Sequence, residues 1–342
     1  MMNQIELGKI RNMNKRVDLA RNVINKHILI TGMSGSGKTM ALKTIEHAIV
    51  KNQGCVIVLN CGATHEWKNQ DKNIVEHWSV KNQGFPFRLF EQIEDFDGKK
   101  ESFEDIADDI LIELNRINRM NSTQKKILYE NILYSLKNEK SELCMQTIVR
   151  RLEEEQEEEA IDILNKFSCF FRRIRITDQT LSLNSGKIFD IDFSGYTTSA
   201  QWCLAGITLS WIWRYSQLRG RDNRYDIYVA VDEFQNIDKG NNLVMEQILR
   251  EGRRHKMFLL LATQTLAGNE RCERVIFHQV GTKLCFKPTE EEYRQIAKMI
   301  DSEQVEEASY ILSHLQVGEC LAKGKFSVGG VIIEKPLKIS FR

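Results

Sequence analysis

The chain alternates between short unbroken apolar runs and longer stretches in which apolar residues recur every three or four positions. His27-Ile28-Leu29-Ile30-Thr31 is a run of the first kind and predicts a buried strand. A glycine-rich loop follows from Gly32 to Gly37. Helical spacing then appears at Met40, Leu42, Ile45, Ala48 and Ile49 within Lys38 to Lys51, and Gly54 stands where a helix end favours glycine. Cys55-Val56-Ile57-Val58-Leu59 predicts a second buried strand. Strands that are apolar on both faces and joined through a helix predict a parallel sheet covered on both sides.

The pattern changes over about 95–175. This stretch is rich in Glu, Lys, Ile and Leu, holds no proline and has one glycine, Gly98. The spacing of Ile106, Ala107, Ile110, Leu111 and Leu114, and of Ile127, Leu128, Ile132 and Leu133, predicts a helical insertion. Its acidic run, Glu153 to Glu155 and Glu157 to Glu159, reads as a solvated helix face. Ile188 to Phe193 predicts the next strand, followed by a long amphipathic helix from about Ala200 to Tyr215. Tyr228-Val229-Ala230-Val231 is a buried strand ending at Asp232-Glu233. A helix is expected from about Leu243 to Lys256, and Phe258 to Ala262 is a strand ending at Thr263-Gln264. The tail from about Thr282 is strand-rich. The expected organisation is a short lead-in over 1–26 and one α/β unit over 27–342 that contains the insertion.

Composition narrows the possible partners. Forty-eight basic and 47 acidic residues leave a net charge of +1, so the chain does not coat nucleic acid over its whole surface. DNA contact would come from local clusters; Arg172-Arg173-Arg175 and Arg219-Arg221-Arg224 read first as ordinary solvated loops and second as pore-lining phosphate contacts. The eight cysteines form no CxxC pair, which argues against a zinc site and for reduced thiols. The first residues hold no signal-peptide core, and the longest apolar stretch, Met257 to Ala262, is far too short to span a bilayer. A cytoplasmic protein without membrane contact is expected.

Four features carry candidate chemistry. Gly32-Met33-Ser34-Gly35-Ser36-Gly37-Lys38-Thr39 fits the P-loop pattern of glycine, four residues, Gly-Lys, then Ser or Thr. Glycines let successive amides point at phosphate oxygens, and the following helix adds the positive end of its dipole. Lys38 is expected to reach the β and γ phosphates of ATP, and Thr39 to hold Mg²⁺; the nucleotide-binding set extends to Met40. Asp232 and Glu233 lie at the carboxyl end of a predicted parallel strand, where such sheets bind ligands. Asp232 is a candidate Mg²⁺ ligand and Glu233 a candidate base for the attacking water. Gln264, with Thr263, stands at the next strand end, either as a sensor of the γ-phosphate or as an ordinary solvated residue. Arg250-Glu251-Gly252-Arg253-Arg254 closes the helix between those strands, either as a basic end that complements the dipole or as an arginine finger.

Taken together, HILITGMSGSGKT, VAVDEFQN and ILREGRRHKMFLLLATQT resemble the HerA/FtsK branch of RecA-like motor ATPases, nearest to the HerA type. IFDIDFSG, HQVGTKLCFKPTEEEYRQIA and LSHLQVGECLAKG extend the likeness over about residues 27 to 340. The resemblance implies a RecA-like P-loop NTPase fold, ATP hydrolysis at subunit interfaces, and a homo-hexamer that moves double-stranded DNA through its pore. It implies roles for Lys38, Thr39, Asp232, Glu233 and Gln264 as above. It also implies an arginine acting on the neighbouring subunit's nucleotide, from among Arg250, Arg253 and Arg254, with Arg253 favoured. HerA-type proteins carry an amino-terminal β-barrel for which 1–26 leave no room. Compact motors of this kind work with a separate effector, such as a nuclease or an NAD-consuming enzyme, in anti-phage defence or DNA processing. A regulatory ATPase scaffold that gates such a partner without moving DNA is the competing expectation.

Overall fold

The computed structural model describes residues 4–10, 13–62, 67, 71–95, 97–177, 179–219, 225–237, 243–264 and 276–342, without the side chains at 169, 172, 173 and 243. In chain order the first strands are β1 (Glu6–Ile10), β2 (Lys15–Leu19), β3 (Ile28–Thr31), β4 (Cys55–Asn60), β5 (Val75–Ser79), β6 (Lys187–Asp192) and β7 (Ile227–Asp232). They continue with β8 (Met257–Thr263), β9 (Thr282–Phe286), β10 (Glu319–Lys323), β11 (Phe326–Val328), β12 (Val331–Ile333) and β13 (Leu337–Ser340). All join one sheet in the order β12-β11-β2-β1-β13-β10-β9-β3-β8-β7-β4-β6-β5. From β9 to β5 every pairing is parallel, and from β12 to β9 every pairing is antiparallel.

The apolar runs sit in the parallel half because both of its faces are covered. In β4, Cys55, Ile57 and Leu59 enter one core, while Val56 and Val58 enter the other. On the second face lies α1 (Lys38–Lys51), which buries Ala41, Leu42, Ile45 and Ile49. The first face carries α8 (Thr198–Leu218) and α9 (Leu243–Glu251). The helix expected to be amphipathic is apolar on more than one side. Leu204, Ala205, Ile207, Leu209 and Ile212 of α8 are all buried, because a second helical layer lies above it.

That layer is the insertion. After β5 and the single turn α2 (Val80–Gln83), the chain forms α3 (Phe103–Ile117), α4 (Ser122–Asn138), α5 (Ser141–Glu155), α6 (Glu158–Lys166) and α7 (Ser168–Arg173). Local chemistry starts two of them. Ser102 Oγ accepts from the Asp105 amide, and Asn121 with Gln124 forms a capping box. The acidic run lies at the α5–α6 junction, mostly exposed. An ion pair fixes the layer to α8: Arg214 Nε lies 3.3 Å from Glu101 Oε1, both side chains 6% exposed. Burial lowers the Arg214 pKa and raises that of Glu101, and each partner's charge opposes the shift in the other.

Three further features differ from the sequence expectation. The lead-in contributes β1 and β2, and Leu7, Val17 and Leu19 join the core beneath α1. β5 is a further strand, at the sheet edge; His77 on it hydrogen-bonds at Nδ1 to Asp190 of β6, 2.9 Å away. The helix expected through Lys256 ends at Glu251 and tightens into a 3₁₀ turn, Gly252–His255. A Cβ at Gly252 would stand 2.3 Å from the Met257 carbonyl, so the chain folds back there only with glycine. Among the described residues, no helix is long and apolar enough to cross a membrane.

Candidate functional site

The site lies at the carboxyl ends of the parallel strands. β3 leads into the loop, and α1 starts at Lys38. Gly32, Gly35 and Gly37 adopt φ of 148°, 74° and 109°, a region that L side chains rarely enter. Space adds a second requirement. A Cβ at Gly32 would lie 2.6 Å from Phe286 Cβ, and one at Gly37 2.8 Å from the Gly318 backbone. The tail therefore braces the loop. The Met33 amide donates to the Lys287 carbonyl at 2.9 Å, and the Gly318 amide to the Ser36 carbonyl at 2.8 Å. Gly35 faces open space.

Lys38 folds back beneath the loop. Its Nζ donates to the carbonyls of Gly32 at 2.6 Å and Met33 at 3.1 Å. Burial lowers its pKa, while the carboxylates of Glu233 and Asp232 act in the opposite direction. Asp232 ends β7 and Glu233 follows it, two strands away from β3 in the sheet. Glu233 adopts a left-handed conformation at φ 55° and ψ 47°. A non-glycine residue there carries about 1–3 kcal/mol of strain and marks a functional turn. The turn aims its carboxylate. Gln264 Nε2 donates to Oε1 and Gln235 Nε2 to Oε2, each at 2.6 Å.

One cavity of about 520 Å³ is lined by Ser34, Gly35, Gly37, Lys38, Thr39, Met40, Asp232, Glu233 and Gln264, joined by Cys61, Gly62 and Trp202. The predicted loop, acids and glutamine thus share a single space. Cys61 and Gly62 follow β4 at its carboxyl end, a position from which they were legible. Trp202, in the first turns of α8, had no local signal. Burial, with Asp192 adding to it, pushes the Cys61 thiol well up, which disfavours the reactive thiolate.

The residues fit a nucleotide triphosphate with a divalent cation. The loop is a cradle that a Cβ would fill, an ammonium is held inside it, and the buried Ser36 Oγ has no hydrogen-bond partner. Thr39 and Asp232 offer hard oxygen donors of the kind Mg²⁺ takes.

Other candidates lie elsewhere. Arg250 ends α9, and Arg253 and Arg254 stand in the turn before β8, whereas Gln264 follows β8. The seven residues of β8 separate them by about 20 Å. These arginines are exposed, and Arg250 pairs with Glu246 at 3.2 Å. They stand apart from their own chain's cavity. Arg219, read as a solvated loop residue or a phosphate contact, instead donates through Nη2 to the carbonyls of Tyr225, His255 and Lys256. Arg221 and Arg224, and the side chains of Arg172 and Arg173, lie outside the described residues; Arg175 is exposed. Among the described residues no group of side chains could hold a zinc-type metal, and Cys55, Cys61, Cys144, Cys203, Cys285 and Cys320 form no disulfide.

The sheet order, the glycine cradle and the strand-end acids define a P-loop NTPase fold. A family model, "Helicase HerA, central domain", matches residues 5–210, and the chain belongs to that family. Solved structures agree on the fold. VirB4 of Thermoanaerobacter pseudethanolicus matches at 14% identity over 99% of this chain and 96% of its own, with a TM-score of 0.71. The plasmid coupling protein TrwB in complex with ADP and Mg²⁺ matches at 10% identity, over 95% of this chain and 87% of its own, with a TM-score of 0.68. The same protein with a non-hydrolysable ATP analogue matches at 12%, over 92% and 85%, with a TM-score of 0.65. No curated protein matches the sequence.

Proposed function

We propose that the chain is the ATP-hydrolysing subunit of a hexameric motor that moves double-stranded DNA. The observation that carries this is the convergence of Lys38, Thr39, Asp232, Glu233 and Gln264 on one cavity. The P-loop amides and Lys38 bind the phosphates. Mg²⁺ held by Thr39 and Asp232 would neutralise charge on the β and γ phosphates. Glu233 takes a proton from water as the water oxygen bonds to the γ-phosphorus. Gln264, already bonded to Glu233, orients that water. Lys38 offsets the negative charge that collects on the leaving ADP as the γ–β bond breaks.

Among the described residues lining the chain's own cavity there is no arginine to play the finger. Arg250, Arg253 and Arg254 are exposed at the opposite end of the parallel strands, which supports their serving the cavity of the next copy in a ring, with Arg253 the favoured donor. An effector such as a nuclease or an NAD-consuming enzyme would complete the system. The competing role, a ring that gates such an effector without moving DNA, is favoured by the use of Arg219 within the fold and by the net charge of +1.

The test of this reading is particle mass and turnover in ATP and Mg²⁺. A hexamer whose hydrolysis is lost in Arg253→Ala, and partly restored by mixing that variant with Glu233→Gln subunits, supports shared sites. A fully active monomer contradicts them.

A further inference from the structure

The turn that aims Glu233 is held from outside by the helical insertion. Arg116, near the end of α3, reaches past α8 and donates through Nη1 to the carbonyl of Ile237 at 3.0 Å. Ile237 closes the 3₁₀ turn that Glu233 opens. The Asn236 amide donates to the Glu233 carbonyl, and the Ile237 amide to that of Phe234, each at 3.0 Å. Nε of Arg116 is occupied by Glu113 Oε2 at 2.8 Å, which fixes the plane of the guanidinium. Its path exists because α8 has glycine at 206: a Cβ there would lie 2.1 Å from Arg116 Nη2.

This is a poor way to gain stability. Arg116 is 16% exposed and Glu113 5%. Nη2 of Arg116 and Oε1 of Glu113 are buried without hydrogen-bond partners. A buried ion pair with unmet valences gives no more stability than well-packed apolar residues, and such groups persist where they fix geometry. What this pair fixes is the end of a turn whose first residue sits in a strained left-handed conformation, and strain of that kind persists only when its surroundings hold it.

We propose that Arg116 is a positioning residue for hydrolysis, through which the insertion holds Glu233 in line with the attacking water. The proposal rests on the reading of Glu233 as the base. It makes α3 a sensor arm: a partner or load that shifts α3 withdraws one hydrogen bond from the Glu233 turn. Phe234 and Ile237 are themselves buried, so loss of that bond loosens the turn rather than unfolding it.

The experiment measures ATP affinity and single-turnover hydrolysis for Arg116→Met, Arg116→Lys, Gly206→Ala and Glu233→Gln. Arg116→Met keeps the stem and removes the donor. Gly206→Ala leaves Arg116 in the sequence and displaces it with one methyl group. Both are expected to lower the hydrolysis rate roughly tenfold, the effect of one charge-assisted hydrogen bond, with ATP affinity within about twofold of wild type. Arg116→Lys, which still offers a donor, is expected to recover part of the rate. Wild-type rates in Arg116→Met and Gly206→Ala, with Glu233→Gln inactive, overturn the positioning role alone. Loss of rate and affinity together in both variants also overturns it, as the mark of a structural role only. Normal hydrolysis in Glu233→Gln removes the assignment of the base, and the proposal with it.

Discussion

At the scale of single residues, each functional side chain has a distinct expected effect. Lys38→Ala removes the ammonium from the loop and is expected to abolish ATP binding, read by calorimetry. Glu233→Gln keeps the fold of the turn and a polar group in place. It is expected to bind ATP normally and to lose about 10²–10⁴-fold in hydrolysis, the contribution of a general base. His27 gives a pH prediction. Its Nδ1 accepts from the Leu259 amide at 2.9 Å, and burial lowers its pKa from 6.5 to about 4, against the opposing effect of the Ile248 backbone. The unfolded chain takes up this proton below pH 6.5 and the folded chain only near pH 4. The stability contribution is therefore complete above pH 6.5 and is lost as pH falls toward 4, by about 3 kcal/mol. Urea unfolding between pH 7.5 and 4 measures it, and His27→Gln is expected to flatten that part of the profile. That the loop, the acids and the glutamine would meet was largely legible, because glycine spacing and strand-end acids are local signals. Arg116 was not: its partners, Gly206 and Ile237, lie far along the chain and meet it only through packing.

At the scale of elements, legibility followed burial. β3, β4, β7 and β8 are buried along nearly their whole lengths, so their sequences are unbroken apolar runs. β1, β2 and β5 read as ELGKI, KRVDL and VEHWS. Each of these three is only partly buried, and none shows an apolar run. α8 looked one-sided because nothing in its own sequence says that a second layer covers it. The join between those layers makes an element-scale prediction. Glu101→Ala leaves Arg214 buried beside a weaker set of carboxylates. It is expected to destabilise the fold by about 3–5 kcal/mol in urea unfolding, whereas the exposed pair Arg294–Glu306, 2.7 Å apart, is expected to contribute little when Glu306 is changed to Ala.

At the scale of the whole molecule, the loop, acids and glutamine face one end of the parallel strands, and the arginine segment faces the other. A single chain cannot bring them together; a ring of chains can. Membership of the HerA family sets the expectation of a motor, and VirB4 and TrwB share the fold. The near-balance of charge limits DNA contact to a localised path. The most direct measurement is the steady-state rate of ATP hydrolysis as duplex DNA is added at low salt. A DNA-moving ATPase is expected to show a saturable increase in rate that weakens as salt rises and is absent in Glu233→Gln. A rate unchanged by duplex DNA, in a chain that hydrolyses ATP and binds no DNA at low salt, rules out a motor that moves DNA.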